Sequence, residues 1–362
     1  MNLKKQNILF MARTMGLGGT ENVILQLCEI LQPHVNKIIV CSCGGVNVDK
    51  LVNMGIKHYY VPDITNKKIY NVGLTFKTIK RIIKNENITI IHSHHRMAAL
   101  YAKLAGNNNI LKIANVHNTF SDKRLLTRFS YSGTKLIAVG EQVKKNLMSY
   151  YKISNSKITV IHNATKAFEG DLSILEEFRK DKEKGYTLIG NIGRLSEQKG
   201  MEYFIKAAAN VIKEYPTARF YIIGDGECYE NLRKLAENIL PEDTIRFMGY
   251  REDIQNIMKQ LDFIVLSSLW EGLPLTPIEA FSVGKTVIAT KVDGTIEIIT
   301  DEKNGLLVES KNEYMLYKAM IRLCKNEELL RRLENGARIT YLEKFSFEKL
   351  ADKYLEFYNK LQ

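Results

Sequence analysis

The stretch DFIVLSSLWEGLPLTPIEAFSVGKTVIAT, residues 262–290, places an apolar run on either side of a turn that contains two prolines. The first run, DFIVLSS, is typical of a buried strand, and the second, KTVIAT, of the next strand. Between them, Pro277 suits the first turn of a helix, because proline lacks the N–H that would be unpaired there. This succession predicts two parallel strands joined by a helix.

The same alternation of strands and helices occurs twice along the chain. Short β-branched runs alternate with amphipathic stretches over residues 7–165 and again from residue 186. Such alternation predicts parallel sheets covered by helices on both faces. We therefore expect an α/β fold of two Rossmann-like, doubly wound domains that face each other across a cleft. Ligands of open α/β sheets bind beyond the carboxyl ends of the strands, so function is expected in the loops there.

Composition sets the domain boundaries and the class of protein. We expect a first domain over 1–165, a charged linker over 166–185 and a second domain over 186–345, with a helix over 346–362 that packs back on the first. The 45% hydrophobic and 25% charged content suits a soluble globular protein. Five cysteines without a paired CxxC spacing favour reduced thiols in a cytoplasmic protein over a disulfide framework or structural zinc.

The net charge of +12 is concentrated in the first half of the chain. Residues 1–165 contain 23 Lys/Arg against 7 Asp/Glu, whereas residues 166–362 contain 29 against 33. This excess implies an anionic partner: nucleic acid, anionic lipid or a phosphorylated substrate. Residues 74–88 and 120–135 mix basic and apolar side chains, which favours an anionic membrane surface over ordinary solvated helices. Nucleic acid is disfavoured because no binding module is recognised.

Two loops after predicted strands could bind an anion. GLGGTE, residues 16–21, joins a strand to a helix, where glycines allow close approach to a ligand, although the GxGxxG fingerprint is absent. NIGRLSEQKG, residues 191–200, carries Arg194 and Lys199 at the corresponding place in the second domain. Two cations near a helix start favour a diphosphate clamp over two solvated charges.

Glu271 and Glu279 stand on either side of the turn in the opening stretch. The amides around Leu275 and Thr276 would face an anion at the helix start, with Glu279 in the first turn of that helix. Since a phosphate repels a carboxylate, Glu279 should instead bind neutral hydroxyls, as of a ribose. A diphosphate flanked by hydroxyl-bearing rings describes a nucleotide sugar.

Histidines cluster in IHSHHR, residues 91–96. Alternation along a strand puts His92 and His94 on one face, which could suggest a metal site. No carboxylate or cysteine lies close in sequence and no DxD motif occurs, so we favour a strand-end cluster near an acceptor. Arg194 and Lys199 would then supply the positive charge that a metal supplies elsewhere.

The chain resembles the retaining family-4 glycosyltransferases of the GT-B fold. The motifs that carry the resemblance, in order, are GLGGTE, NVHNT, VIHNA, NIGRLSEQKG, IIGDGE, MGY and the Glu-x7-Glu segment EGLPLTPIE. The resemblance implies sugar transfer from a nucleotide donor with the anomeric configuration kept. It assigns catalytic roles to His117, Arg194, Lys199 and Glu271. It places the donor at Gly16, Gly18, Gly19, Arg194, Lys199, Gly224, Phe247, Glu271, Gly272, Leu275, Thr276 and Glu279, and the acceptor at Thr20, Glu21, His94, His117 and Asn118.

The sequence departs from the family pattern in two places. VDGTIEII, residues 292–299, has Asp293 and Ile296 where many members have glycine and proline, and HNATKAF lacks the usual glycine and acidic residue. Two alternatives are a nucleotide-sugar 2-epimerase of the same fold and a non-catalytic nucleotide-sugar-binding protein. The Glu-x7-Glu loop and the intact charged residues favour a transferase.

The expected reaction is metal-independent and uses no cofactor. The donor is expected to be a UDP-hexose or UDP-N-acetylhexosamine, and the acceptor a polyprenyl-diphosphate-linked saccharide of a surface polysaccharide or glycan. We expect the protein to be peripheral on the inner face of the cell membrane and not to bind nucleic acid.

Overall fold

The structure, a computed structural model, describes residues 2–361. It divides into two compact units. One takes in the chain up to Asn163 together with the residues from Leu350 onward, and the other is Ala164–Lys349.

The first unit contains a parallel sheet of seven strands in the order β3-β2-β1-β4-β5-β6-β7 over the described residues. Its strands are β1 Asn7–Met11, β2 Lys37–Ser42, β3 Lys57–Tyr60, β4 Ile90–Ser93, β5 Leu111–Val116, β6 Lys135–Ala138 and β7 Ile158–Val160. Its helices are α1 Gly19–Leu31, α2 Val48–Asn53, α3 Ile69–Asn85, α4 Arg96–Ala105, α5 Arg124–Tyr131 and α6 Glu141–Ser149, with short 3-10 turns at Leu3–Lys5 and Asn155–Lys157.

The second unit contains a parallel sheet of six strands, ordered β10-β9-β8-β11-β12-β13. Its strands are β8 Thr187–Ile192, β9 Ala218–Ile223, β10 Ile245–Phe247, β11 Phe263–Leu266, β12 Val287–Thr290 and β13 Gly305–Val308. Its helices are α7 Glu176–Glu183, α8 Met201–Glu214, α9 Tyr229–Ile239, α10 Ile254–Gln260, α11 Leu275–Ser282, α12 Thr295–Ile298, α13 Glu313–Lys325 and α14 Glu327–Thr340, with a 3-10 turn at Glu197–Lys199 and a π-helix at Tyr341–Phe345. The α/β class with two parallel sheets is confirmed.

The opening stretch forms the predicted strand, helix and strand. β11 pairs in parallel with β12, with Val265 opposite Ile288, and α11 connects them. The helix begins at Leu275, so Pro277 lies in its first turn as predicted. Glu279 is the fifth residue of α11 and lies in its second turn, so the expectation of a first-turn position is wrong. The helix starts two residues before Pro277, and Pro274 is its extended N-cap residue.

Hydrophobic periodicity explains how the helices cover the sheets. In α8, the side chains of Phe204, Ala208 and Val211 are fully buried against the second sheet. Their spacing of four and three residues puts them on one side of the helix. Strands β11 and β12 are buried along their whole length, as expected of parallel strands covered on both faces.

The last helix, α15 Phe347–Asn359, belongs to the first unit from Leu350 onward. Tyr354 and Tyr358 on this helix are buried. The Tyr358 hydroxyl lies 2.7 Å from Nδ1 of His92, and the Tyr354 hydroxyl accepts a hydrogen bond of 2.6 Å from Nδ2 of Asn115. These contacts fix the end of the chain against strands β4 and β5.

Helix α3 covers much of the basic segment over 74–88. Its Ile79 and Ile82 are fully buried in the core of the first unit, so the apolar side of this segment is not available to a membrane. The exposed apolar residues lie instead at the beginning of α3, where Ile69 is 90% and Tyr70 78% exposed. Among residues 2–361, no helix is both long and apolar enough to cross a bilayer.

Candidate active site

Loops that follow neighbouring strands of the second sheet lie against one another. The amide of Gly193, after β8, donates to the carbonyl of Ile223 at the end of β9. A Cβ on Gly224 would overlap the Gly193 carbonyl oxygen, and Gly224 has a φ of +139° that favours glycine. Only glycine therefore lets these two loops approach so closely, which places Gly224 beside the segment that carries Arg194 and Lys199.

Lys199 and Glu271 form a short, largely buried ion pair. The Lys199 ammonium lies 2.6 Å from Oε1 of Glu271, and the two side chains are 16% and 6% exposed. The Ser268 hydroxyl donates to the same carboxylate oxygen over 2.7 Å. Gln198 Nε2 reaches the other oxygen, Oε2, at 3.4 Å. Burial strengthens a pair of opposite charges that is hydrogen-bonded in this way, so both side chains are held in fixed positions.

The backbone around this ion pair is also fixed by contacts between loops. The Leu269 amide donates to the Gln198 carbonyl over 2.8 Å, and the Ser267 hydroxyl donates to the Lys199 carbonyl over 3.0 Å. Asn191, at the end of β8, donates to that hydroxyl through Nδ2. A Cβ on Gly200 would overlap the carbonyl of Ser267, so this contact also requires glycine.

Arg194 lies in the same loop but is held loosely. Its guanidinium pairs with Glu227 at 3.1 Å, and the two side chains are 72% and 57% exposed. An exposed pair of this kind contributes little to stability and exchanges readily. Arg194 is therefore able to turn toward an arriving anion.

Glu279 carries a carboxyl group that burial keeps partly protonated. Burial raises the pKa of Glu279 to about 7, and the positive charge of Lys199 opposes this rise. Over residues 2–361, its carboxylate has no hydrogen-bond or ion-pair partner. A desolvated carboxyl group without a partner is suited to accept hydrogen bonds from ligand hydroxyls.

The beginning of α11 lies between the two glutamates in sequence. Leu275 and Thr276 are its first two residues, and in the described chain no side chain caps this end of the helix. The amides of a first turn point along the helix axis toward solvent or ligand. Gly272 packs against the loop after β12, where a Cβ on Gly294 would overlap its carbonyl oxygen.

Phe247, which the resemblance places at the donor, packs near Tyr229. The two rings meet edge to face with centroids 5.6 Å apart, and both lie against the core of the second unit. They also line a cavity of about 490 Å³ between α9 and β10. The amide of Gly224 donates to the carbonyl of Gly249 over 2.8 Å, which joins the glycine loop to the segment after Phe247.

The glycine loop of the first unit is exposed and leads into α1. Gly18 and Gly19 are exposed, and α1 begins at Gly19. Glu21 accepts a hydrogen bond of 2.5 Å from the Thr14 hydroxyl, while the Gly16 carbonyl accepts one of 2.6 Å from Asn47. Thr20 lies at the same helix start and is partly buried.

His94 and His117 follow neighbouring strands β4 and β5 and meet at the carboxyl edge of the first sheet. Nδ1 of His94 lies 3.1 Å from Nε2 of His117, and their rings stack with centroids 5.3 Å apart. His92 lies on the same side, with its ring 4.8 Å from that of His94, as the alternation along the strand predicts. Asn118 is exposed next to His117.

The predicted residues thus fall into separate groups. In the second unit, Lys199, Glu271 and Glu279 come together, whereas the first unit joins His94 to His117. Sequence reasoning placed His92 beside His94 but missed the other residues that hold these groups, which are Asn191, Gln198, Ser267, Ser268, Asn115, Tyr354 and Tyr358. Asn191 and Gln198 gave a local signal, since both lie in the motif that contains Lys199. Residues 2–361 contain no group of three histidine, cysteine, aspartate or glutamate side chains placed to hold a metal ion.

Comparison with known proteins identifies the family. The family model described as Glycosyl transferases group 1 matches residues 174–340, and Glycosyltransferase Family 4 matches residues 17–166. An uncharacterised glycosyltransferase of Methanocaldococcus jannaschii is 30% identical over 293 residues, which covers 76% of each chain. The chain belongs to these glycosyltransferase families.

Two further glycosyltransferase comparisons extend over nearly the whole chain. The UDP-Gal:alpha-D-GlcNAc-diphosphoundecaprenol alpha-1,3-galactosyltransferase of Escherichia coli is 26% identical over 364 residues, covering 94% of each chain. The crystal structure of Anabaena HepE in complex with UDP-glucose superposes with a TM-score of 0.84 at 18% identity, covering 98% of this chain and 100% of that one. This likeness, together with the two parallel sheets, gives the glycosyltransferase a GT-B fold.

Proposed function

We propose that the protein is a retaining glycosyltransferase that moves a hexose or N-acetylhexosamine from a UDP-linked donor to a polyprenyl-diphosphate-linked saccharide in the synthesis of a surface glycan. The observation that carries the proposal is the buried Lys199–Glu271 ion pair with Glu279 within electrostatic reach of the same lysine. The names of relatives support the substrate class, since the Escherichia coli relative uses UDP-Gal and a lipid diphosphate acceptor.

Lys199 and Arg194 would bind the donor diphosphate. Lys199 is held at Glu271, whereas Arg194 has only an exposed partner that it can leave. As the bond from the sugar to the diphosphate breaks, negative charge grows on the departing phosphate. Lys199, which Glu271 holds in place, stabilises that charge without reorganising, and Arg194 adds a second positive charge once it has turned toward the phosphate. We therefore propose that these side chains supply the charge and that no metal is needed.

Glu279 would bind the ribose of the donor. Its carboxyl group has no partner among the described residues, and two ribose hydroxyls could each donate to it. Such hydrogen bonds favour the charged form and would lower the pKa of Glu279 on binding. Glu271, whose Oε1 is held by both Lys199 and Ser268, would orient the hydroxyls of the transferred sugar.

The proposed reaction needs no nucleophilic side chain. The acceptor hydroxyl attacks the anomeric carbon on the face from which the diphosphate leaves. The new bond to the acceptor oxygen forms as the bond to the phosphate oxygen breaks, and the departing phosphate accepts the hydroxyl proton. His117 would contact the sugar, with Gly16, Gly18 and Gly19 near the diphosphate and Thr20, Glu21, His94 and Asn118 on the acceptor side.

We further propose that the first unit docks on the inner face of the cell membrane, where a lipid-linked acceptor resides. No Asp or Glu occurs between residues 64 and 85, and the basic side chains of this segment are all exposed. They are Lys67, Lys68, Lys77, Lys80, Arg81 and Lys84. Exposed Ile69 and Tyr70 begin α3 directly after Lys68. On α5, Leu125 and Phe129 are 80% and 49% exposed beside two arginines. Apolar tips within a basic surface suit an anionic bilayer.

The position of these helices supports docking near the acceptor. Helices α3 and α5 both begin beyond the carboxyl ends of parallel strands of the first sheet. His94 and His117 also follow the carboxyl ends of strands of that sheet. They therefore share one edge of that sheet.

Transfer assays with defined substrates test the proposal. The purified chain is incubated with each of several UDP-sugars and a synthetic polyprenyl-diphosphate-linked N-acetylglucosamine, and the glycosidic bond is assigned by proton NMR. We expect one UDP-sugar to give a product with an α-linkage, as in the donor. A β-linked product would contradict retention. Conversion of the donor to its C2 epimer without acceptor would instead establish an epimerase.

A further inference from the structure

The two histidines at the carboxyl edge of the first sheet differ in their surroundings. His94 is only 4% exposed, whereas His117 is partly exposed. Their rings join through Nδ1 of His94 and Nε2 of His117, 3.1 Å apart. One of these two nitrogens must carry the hydrogen of this bond, and the other must accept it.

Both rings are neutral near neutral pH. Burial lowers the pKa of His94 well below its ordinary value, and burial lowers that of His117 to about 4. A neutral imidazole has one N–H donor and one nitrogen acceptor. The direction of the bond between the rings therefore decides which nitrogen of each ring carries its hydrogen.

The second nitrogen of His94 distinguishes the two directions. Nε2 of His94 is buried and has no hydrogen-bond partner among residues 2–361. If His117 were the donor, His94 would have its hydrogen on Nε2, where it would be a buried N–H without an acceptor. If His94 is the donor, Nε2 is an unpaired acceptor. Unpaired buried N–H groups are rarer in proteins than unsatisfied acceptors.

We propose that Nδ1–H of His94 donates to Nε2 of His117 and thereby fixes His117 in the tautomer that carries its hydrogen on Nδ1. His94 is then a positioning residue whose role is to set the hydrogen-bonding polarity of His117.

The rings around His94 hold it in this orientation. His92 lies at 4.8 Å between ring centroids and is itself held at both nitrogens, by the Asn115 side chain at 2.9 Å and the Tyr358 hydroxyl at 2.7 Å. The Phe10 ring lies 5.6 Å from that of His94. Since Tyr358 belongs to α15, the last helix of the chain takes part in fixing the histidine cluster.

The consequence for the reaction rests on the proposed function, in which His117 contacts the transferred sugar. With its hydrogen on Nδ1, His117 offers that nitrogen as a donor, which suits a sugar hydroxyl or ring oxygen. The opposite tautomer would offer an acceptor there and would select a different orientation of the sugar hydroxyl.

NMR of the full chain tests the tautomer directly. Two-bond proton–nitrogen correlations in protein labelled with ¹⁵N-histidine distinguish the two tautomers, and the seven histidines are few enough to resolve. His117→Asn identifies the signals of that ring. We expect both His94 and His117 to carry hydrogen on Nδ1 at pH 7. A spectrum with hydrogen on Nε2 of His117 would overturn the proposal.

Two variants of His94 separate the tautomer from simple packing. His94→Asn keeps an N–H donor near the position of Nδ1, whereas His94→Leu has none. We expect the His117 tautomer to be kept in the asparagine variant and lost in the leucine variant. The kcat of the leucine variant should be about 3- to 10-fold lower than that of the asparagine variant, the effect of one hydrogen bond. Equal tautomer populations in both variants would contradict the role of His94. Because the tautomer is read without substrate, it can be confirmed even if no sugar transfer is found, in which case the proposed function alone fails.

Discussion

The ammonium of Lys199 lies 2.6 Å from a carboxylate oxygen of Glu271, and both side chains are largely removed from water. These residues are separated by 72 positions in the chain and come from loops after adjacent strands β8 and β11. The positive charge of Lys199 also acts on the carboxyl group of Glu279 in α11, and in the proposed function the Lys199 ammonium binds the donor diphosphate. Stability and catalysis therefore depend on the same contact and can be separated by mutation.

Lys199→Met should destabilise the protein and abolish most of its activity. The substitution leaves Glu271 buried without its counter-ion, which costs about 3 kcal/mol of unfolding free energy. Adding Glu271→Gln removes the unpaired charge, so the double variant should recover much of that stability as measured by urea denaturation. It should not recover activity, because the cation for the departing phosphate is still missing. Recovery of activity in the double variant would contradict the role of Lys199.

Glu279→Gln should change how stability depends on pH. The pKa of Glu279 is raised from 4.5 to about 7, so the folded state binds this proton more tightly than the unfolded state. Its contribution to stability is fully present below pH 4.5 and is lost as the pH rises through 7. Relative to the variant, whose amide does not titrate, the wild type should lose on the order of 2–3 kcal/mol over this range.

Urea denaturation of both proteins at pH 5, 6, 7 and 8 measures this difference. Titration of the histidines is common to both proteins and cancels in the comparison. Parallel pH profiles for wild type and variant would show that the Glu279 carboxyl is not perturbed.

Gly224→Ala should disrupt the contact between the loops after β8 and β9. Gly224 has a φ of +139°, and the new Cβ would overlap the Gly193 carbonyl oxygen. We expect the free energy of unfolding to fall by about 3 kcal/mol and donor binding to weaken. Gly185→Ala is a matched control, because Gly185 also has a positive φ, +76°, but no atom within 4 Å. This variant should lose about 1 kcal/mol of unfolding free energy and bind the donor as the wild type does. Similar losses in both variants would contradict the close contact.

Removal of the exposed apolar tip of α3 should weaken membrane binding. We expect the double variant Ile69→Ser, Tyr70→Ser to bind poorly to vesicles that contain phosphatidylglycerol, as measured by sedimentation. The double variant Ile339→Ser, Leu342→Ser changes two apolar residues of the second unit that are 47% and 55% exposed, and it should bind as the wild type does. Neutralising Lys77, Lys80, Arg81 and Lys84 should weaken the free energy of vesicle binding by about 4 kcal/mol at low salt. Binding that ignores all these changes would contradict docking through this surface.

The sequence predicts the sheets better than it predicts the contacts of the site. Runs such as DFIVLSS and KTVIAT become β11 and β12 because parallel strands buried on both faces require continuous apolar residues. Helix α11 begins earlier than expected, so Glu279 lies in its second turn and not in its first. Pro274 and Pro277 both allow a helix to begin nearby, and the sequence does not distinguish the two starts. Helix starts are poorly defined where two such signals compete.

Partners distant in sequence have no local signal. The amphipathic pattern over 74–88 predicts a helix, but it cannot distinguish a side that faces a membrane from one that packs in the core, as Ile79 and Ile82 do. The contact between His92 and Tyr358 joins residues 266 positions apart, and no motif connects them. The residues in motifs can be identified from the sequence. The residues that hold them in place can be identified only from the folded structure.

The most direct test of the account is a thermal-shift titration of the full chain with UDP, GDP and ADP, each with and without EDTA. A nucleotide at 100 times its Kd should stabilise the protein by about 2.7 kcal/mol. We expect UDP to raise the Tm, EDTA to leave this shift unchanged, and Glu279→Ala to reduce the shift greatly. No shift with any of the three nucleotides would contradict a nucleotide-sugar site at Lys199, Glu271 and Glu279, and a shift that EDTA abolishes would contradict the metal-free diphosphate clamp.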